Sequence, residues 1–166
     1  MKSNIQNKYV SATQNRKGVA AVEAAVVLPM MLILVLGTIE MGTALRASTI
    51  MQSSVREAGR ITNMRWSEIV GEGDTPNAKL ERDLRNFVTA SGLPGNDLVV
   101  SIIHADGGSA GQAFDISDEA NELKMVKIKL ELPYSSISLF PVRYMGGKSV
   151  SASLVMRAGM AGGLSQ

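Results

Sequence analysis

The 166-residue sequence predicts an α+β protein. A long N-terminal membrane-spanning helix is expected first, followed by a small domain with one further helix and a three-stranded antiparallel sheet. Three observations support this fold class. An apolar run near the N-terminus is long enough to cross a bilayer. Segments with helical spacing come next, and three runs of strand length with apolar or alternating character come last. Helices followed by strands are typical of α+β proteins.

The apolar run extends from Val19 to Ile39 and contains a single charged residue, Glu23. A helix needs roughly 20 apolar residues to cross the hydrocarbon core. A carboxylate inside a membrane helix costs about 2.5–3.5 kcal/mol on insertion scales, so it is normally kept for a function. Pro29 lies in the same run and predicts a helix kink, because proline deletes a backbone hydrogen bond. A bend that serves assembly and a neutral kink both remain open.

The segment before this run, residues 1–18, is polar and predicts a cytoplasmic leader. Its charged side chains are all basic: Lys2, Lys8, Arg16 and Lys17. Positive charge beside a membrane helix stays on the cytoplasmic side, which places everything after Ile39 on the outer face. An ordinary secretory signal peptide is the alternative, but its apolar region usually has about 7–15 residues, fewer than this run.

The same N-terminal residues carry a resemblance to a known family. Lys17-Gly18-Val19, with an acid at Glu23, fits the class III signal of type IV pilin-like proteins. The longer string GVAAVEAAVVLPMMLILVLGTIEMG resembles the start of the TadE family of minor pilins (pseudopilins) of tight-adherence pilus systems. Its last residues, IEMG, correspond to that family's Ile-Glu-Met/Phe-Gly element. The close resemblance is confined to this N-terminal part of the chain.

The resemblance implies a processing site, a location and a role. A prepilin peptidase would cut between Gly18 and Val19, and Glu23 would become the fifth residue of the mature chain and serve subunit assembly. The protein would cross the bacterial inner membrane once, with its N-terminus cytoplasmic and its C-terminal domain periplasmic. It would be a TadE-like minor pilin that takes part in assembly of a tight-adherence (Flp-type) pilus, in the filament or at its base. The expected partners are the prepilin peptidase, other minor and major pilins, and the inner-membrane assembly platform.

A second class of protein is also compatible with the sequence. A signal-anchored periplasmic binding or scaffolding protein, unrelated to pili, would also need a leader, one membrane helix and a small outer domain. The mature N-terminus distinguishes the two, because only a pilin-type signal is cut before the apolar run.

Beyond Ile39 the helix is predicted to continue, so that residues 19–65 form one membrane-spanning and amphipathic helix. A thin, mostly apolar stripe recurs at spacings of three and four: Met41, Leu45, Ser48, Met51, Val55, Ala58 and Thr62. Such a stripe is typical of a helix that packs against a domain, here residues 66–166. A second helix is predicted over 77–91, because Thr75-Pro76 is a typical helix start and Gly92 a typical stop.

Three strands are predicted over residues 98–105, 124–132 and 149–157. The first, LVVSIIHA, is apolar on both faces, as expected of a central strand, and the other two alternate apolar and polar residues. Residues 106–122 are rich in glycine and acids and predict an exposed loop. Residues 133–147 are too apolar for a solvated loop and are expected to pack over a sheet edge.

Charge and composition exclude several kinds of partner. The chain has 17 basic and 15 acidic residues, but four of the basic ones lie in residues 1–18. Without that leader the balance is 13 − 15 = −2, so the basic pI is no argument for nucleic acid. The chain has no cysteine, which excludes disulfides and thiolate metal sites.

The sequence offers no set of residues for catalysis. His104 is the only histidine, so a multi-histidine zinc site cannot be built, and it is expected to be a strand-end residue. Four acids share one loop without the spacing of an EF-hand: Asp115, Asp118, Glu119 and Glu122. An acidic solvated loop is the preferred interpretation, with cation binding left open. We expect no enzyme activity, no metal site, no cofactor and no small-molecule substrate.

Overall fold

The computed structural model describes residues 6–64, 66, 70–140 and 147–159, with side chains from Gly18 onward. Within these residues two α-helices and three strands follow one another: α1 (Gln6–Thr62), α2 (Pro76–Ala90), β1 (Val99–His104), β2 (Met125–Pro133) and β3 (Ser149–Arg157). The predicted α+β fold, with one long N-terminal helix, one further helix and a three-stranded antiparallel sheet, is confirmed. The chain divides into two compact units, Met1–Met41 and Gly42–Gln166.

Helix α1 is 57 residues long and includes Pro29 within its length. It therefore begins before the predicted start at Val19 and takes in part of the predicted leader. In the second unit α1 buries one face, made of Ala47, Met51, Ser54, Val55, Ala58 and Thr62. The predicted stripe is correct from Met51 onward. It is wrong for Met41 and Leu45, which are 62% and 60% exposed, because the buried face runs back through the small residues Ala47 and Ala44 instead.

Helix α2 begins as the sequence predicts. The Thr75 hydroxyl accepts the Ala78 backbone N–H at 3.2 Å, and Pro76 occupies the first helical turn. Leu80, Leu84 and Val88 are completely buried on one face of the helix. They form one core with the buried face of α1 and with the inner face of the sheet. Both helices thus pack on the same face of the sheet.

Strand β2 lies in the centre of the sheet, whose order is β1-β2-β3, and both pairings are antiparallel. Its alternation is confirmed, since every second residue is fully buried: Val126, Ile128, Leu130 and Leu132. The prediction that the first strand is central is wrong. β1 lies at an edge and is mostly half-buried. A following segment, Gly111–Phe114, lies along its outer edge and forms backbone hydrogen bonds with it.

The loop predicted over residues 106–122 is exposed for much of its length but is anchored at two apolar side chains. Phe114 and Ile116 are buried, which the prediction of a solvated loop missed. The Asn77 side chain at the start of α2 holds them. Its Nδ2 donates to the Phe114 carbonyl at 2.7 Å, and its Oδ1 accepts the Ile116 N–H at 2.9 Å.

The apolar segment over residues 133–147 is described only in part. Tyr134 and Ile137 are buried, in agreement with a packed segment, whereas Leu139 is 63% exposed. Residues 141–146, which include Val142, Tyr144 and Met145, lie outside the described residues. The predicted packing over a sheet edge therefore remains a prediction for that part of the segment.

Candidate membrane and assembly segment

The part of α1 from Gly18 to Ile39 presents an apolar surface with every residue exposed. The exposed fraction of its large apolar side chains runs from 38% at Leu36 to 71% at Ile33 and Leu34. This stretch makes α1 the one helix, among the described residues, that is long and apolar enough to cross a membrane. Contiguous apolar surface of this size is unfavourable in water and marks contact with lipid or protein. The first unit therefore fits a single-pass membrane anchor.

The predicted cleavage junction lies within α1. Val19 is 68% exposed. A Cβ placed on Gly18 would meet no described atom within 4 Å. No described atom therefore limits the side chain at position 18.

Glu23 lies one helical turn beyond Val19, on the same side of α1. It is exposed, and among the residues that the structure describes its carboxylate makes no ion pair or hydrogen bond. The carboxylate is therefore available to a group outside the chain. Its assembly role stays a prediction, and so does the kink at Pro29, which lies inside the continuous helix α1.

Glu40 is a residue that the sequence reasoning did not single out. It is only 9% exposed, whereas Ile39 and Met41 on either side are 45% and 62% exposed. Burial of a carboxylate is costly unless the group is paired, and Glu40 does have an interaction partner. The available signal was its position, an acid directly after the apolar run and inside the IEMG element.

The other polar residues considered from the sequence have local structural roles. His104 ends β1, as predicted, and its ring lies 4.7 Å from the Phe114 ring, tilted by 55°. Asp115 accepts the Ser117 N–H at 2.9 Å, and Asp118 accepts the Ala120 N–H at 2.9 Å. Within the described parts of the chain, no three His, Cys, Asp or Glu residues are grouped to hold a metal ion.

Comparison with known protein families identifies the N-terminal segment. Residues 18–60 match the model of the family described as TadE-like protein. This segment is TadE-like. The resemblance drawn from the sequence is thereby confirmed, over 43 of the 166 residues. No curated protein and no solved structure matches the chain.

The TadE-like match covers residues of helix α1 and none of the sheet. It starts at Gly18, the residue before the predicted cleavage, and ends two residues before the end of α1 at Thr62. It therefore takes in the exposed apolar surface together with most of the α1 face that is buried within the second unit. The match associates the chain with the tight-adherence pilus system and with its assembly components.

Proposed function

We propose that the chain is a minor pilin that takes part in the assembly of a tight-adherence pilus and that it is not an enzyme. The observation that supports this most is that the TadE-like match, over residues 18–60, takes in the exposed apolar part of α1. Cleavage after Gly18 by a prepilin peptidase would leave Val19–Ile39 as an inner-membrane anchor. The unit that starts at Gly42 would then lie in the periplasm, where it contacts other minor and major pilins and the assembly platform.

Processing and assembly are linked through Glu23 in this proposal. Cleavage gives Val19 a free amine one helical turn from the Glu23 carboxylate. Both charges lie at the membrane edge, where an unpaired charge is costly. An axial stagger between neighbouring subunits brings the amine of one chain to the carboxylate of the next, and pairing offsets part of both desolvation costs. Glu23 would then set the register between subunits.

The mature N-terminus tests the proposal. Mass spectrometry of the protein from its native host is expected to find a chain that begins at Val19. Gly18→Asp is expected to abolish cleavage, because a peptidase subsite shaped for glycine does not admit a side chain. Gly71→Asp is the matched control, since Gly71 is also open and lies in a loop of the second unit. An intact Met1 chain in cells that process their other prepilins would contradict the proposal and favour the signal-anchored alternative.

A further inference from the structure

The two edges of the sheet differ in how their backbone groups are satisfied. On β1 the outward groups are bonded by the chain itself. The Phe114 N–H donates to the Ile102 carbonyl, the His104 N–H donates to the Gln112 carbonyl, and the Gly111 N–H donates to the His104 carbonyl, each at 2.9 Å. The segment Gly111–Phe114 thus covers much of this edge. The edge formed by β3 has no equivalent cover among the described residues.

The hydrogen bonds at the two ends of the β2–β3 ladder show which groups of β3 point outward. The Ala158 N–H donates to Lys124 at 2.9 Å, and the Tyr134 N–H donates to Lys148 at 2.8 Å. Because bonded and non-bonded pairs alternate in an antiparallel ladder, the even-numbered residues of β3 bond to β2. The odd-numbered residues direct their N–H and C=O groups away from the sheet: Ser149, Ser151, Ser153, Val155 and Arg157. All five have exposed side chains.

Strand β3 lacks the features that usually protect an edge strand. Natural sheets protect their edge strands from pairing with other chains by means of proline, charged side chains, bulges or short strands. β3 has nine residues, contains no proline, and pairs with β2 in register along its whole length without a bulge. Its one charged residue, Arg157, stands at its end. An edge of this kind is a template for a further strand.

We propose that β3 pairs antiparallel with β3 of a second copy of this chain, about a two-fold axis at Ser153. This register pairs all five outward residues, with Ser149 opposite Arg157, Ser151 opposite Val155, and Ser153 opposite its own copy. Each Arg157 faces a serine, so no like charges lie opposite one another. The contact is isologous, as in most symmetric dimers. Two copies anchored in one membrane also meet at a raised effective concentration.

The proposal goes beyond the proposed pilus function and does not depend on it. Pairing at β3 uses only the second unit, whereas processing and the Glu23 contact concern the first. The β3 pairing can fail while the pilus function holds, and the reverse, because dimer formation is measured without counting pili.

Disulfide crosslinking of the full chain in membranes tests the register. The protein has no cysteine of its own. Directly opposed residues of a bonded antiparallel pair have Cα atoms about 5.5 Å apart, within the range that a disulfide spans. Ser153→Cys is therefore expected to give a disulfide-linked dimer under mild oxidation. Ser109→Cys, an exposed serine in the 106–122 loop, is the control and is expected to crosslink only weakly.

Mixed variants sharpen the test. Ser151→Cys and Val155→Cys on differently tagged copies should crosslink to each other more strongly than either does to itself. In the proposed register, position 151 of one copy and position 151 of the other are four residues out of register, roughly 14 Å apart along the strand. The same holds for position 155 in the two copies. Ser153→Pro removes an outward N–H and leaves the β2 ladder intact, so it is expected to abolish the crosslink between positions 151 and 155.

Three results would overturn the proposal. Ser153→Cys could give no more dimer than Ser109→Cys, or Ser151→Cys could crosslink to itself as strongly as to Val155→Cys. A dimer that forms only after removal of residues 160–166 would also contradict it, because the edge would then belong to the chain's own C-terminal residues.

Discussion

Asp74 and Arg82 show how one exposed ion pair joins a loop to a helix. Arg82 Nη2 lies 2.5 Å from Asp74 Oδ2, and Asp74 stands in the loop directly before α2. The hydrogen bond from Arg82 is the main reason that the pKa of the Asp74 carboxyl lies below its ordinary value of 3.8. A carboxyl whose pKa is lowered by folding stabilises the fold above its unfolded pKa, and this contribution is lost as pH falls through the folded pKa.

The change Asp74→Asn should therefore act only where the carboxyl is ionised. We expect it to lower the melting temperature of the full chain slightly at neutral pH and to have no effect at a pH well below 3.8. Thermal unfolding followed by circular dichroism measures both. Glu72→Gln, at an exposed acid of the same loop, is the control and should change neither value. A pH-independent effect of Asp74→Asn would show that the side chain acts through its shape or its contact with the Thr75 N–H instead.

Glu23 gives the second prediction at the residue scale. Glu23→Ala is expected to be cleaved and inserted normally, since the change removes a charge from the apolar run. Assembly should fail, because the Val19 amine of a neighbouring subunit loses its counter-ion, and the number of pili per cell should drop. Pili are counted by electron microscopy and subunit contacts are measured by crosslinking.

Its control is Glu72→Ala, an exposed acid of the second unit, which should leave pili unchanged. Normal piliation and normal crosslinking in the Glu23→Ala strain would favour the other interpretation, in which Glu23 pairs with lipid headgroups or within its own chain.

At the scale of elements, the helices were predicted more accurately than the strand order. The α2 signals are local: Thr75 caps the helix, Pro76 enters its first turn and Gly92 follows its end with φ of 83°. Strand order is not local. Whether β1 lies at the centre or the edge depends on which strands return beside it, and no short pattern in the sequence reveals that Gly111–Phe114 bonds to its outer edge.

The two hydrogen bonds from the Asn77 side chain of α2 to the 106–122 loop, here called the Asn77 clamp, give a prediction at the same scale. Asn77→Ala should leave the Phe114 carbonyl and the Ile116 N–H without their partner in a partly buried place. We expect a loss of about 1–3 kcal/mol in the free energy of unfolding. Hydrogen exchange at the Ile116 N–H should become faster in the same variant.

The matched control is Asn96→Ala, at an exposed asparagine just beyond α2. It should leave both the stability and the Ile116 exchange rate unchanged. If Asn77→Ala changed stability without changing that exchange rate, the clamp would not be what holds the loop.

At the scale of the whole molecule, the two units have different physical requirements. The core lies entirely within the second unit and is formed by both helices, the sheet, Trp66 and Phe114. The described residues of the first unit form no core, and their exposed apolar surface needs lipid or protein around it. A fragment starting at Gly42 therefore keeps every residue of the described core and loses the exposed apolar surface of the first unit.

We expect the fragment of residues 42–166 to be soluble and to unfold cooperatively, with the β-sheet signal of the full chain in its circular dichroism spectrum. Sedimentation and thermal unfolding measure this. A fragment of residues 66–166 serves as the comparison and should not fold, because it lacks the α1 face that fills the core. Aggregation of the longer fragment would contradict the division into two units.

The sequence by itself determined the features that depend on neighbouring residues. Length and polarity of the apolar run, helix capping at Thr75 and the alternation of β2 are all set within a few residues, and each agrees with the structure. These features specify the fold class and the TadE-like segment.

Only the tertiary structure decided the features that depend on distant residues meeting. The buried face of α1 passes through Ala47 and leaves Leu45 exposed, which depends on the side of the helix that meets the rest of the core. The Asn77 clamp arises in the same way, and so does the β3 edge, which no described residue covers. Hydrogen bonds between residues 37 and 39 positions apart leave no periodic trace in the sequence, so they follow from the fold alone.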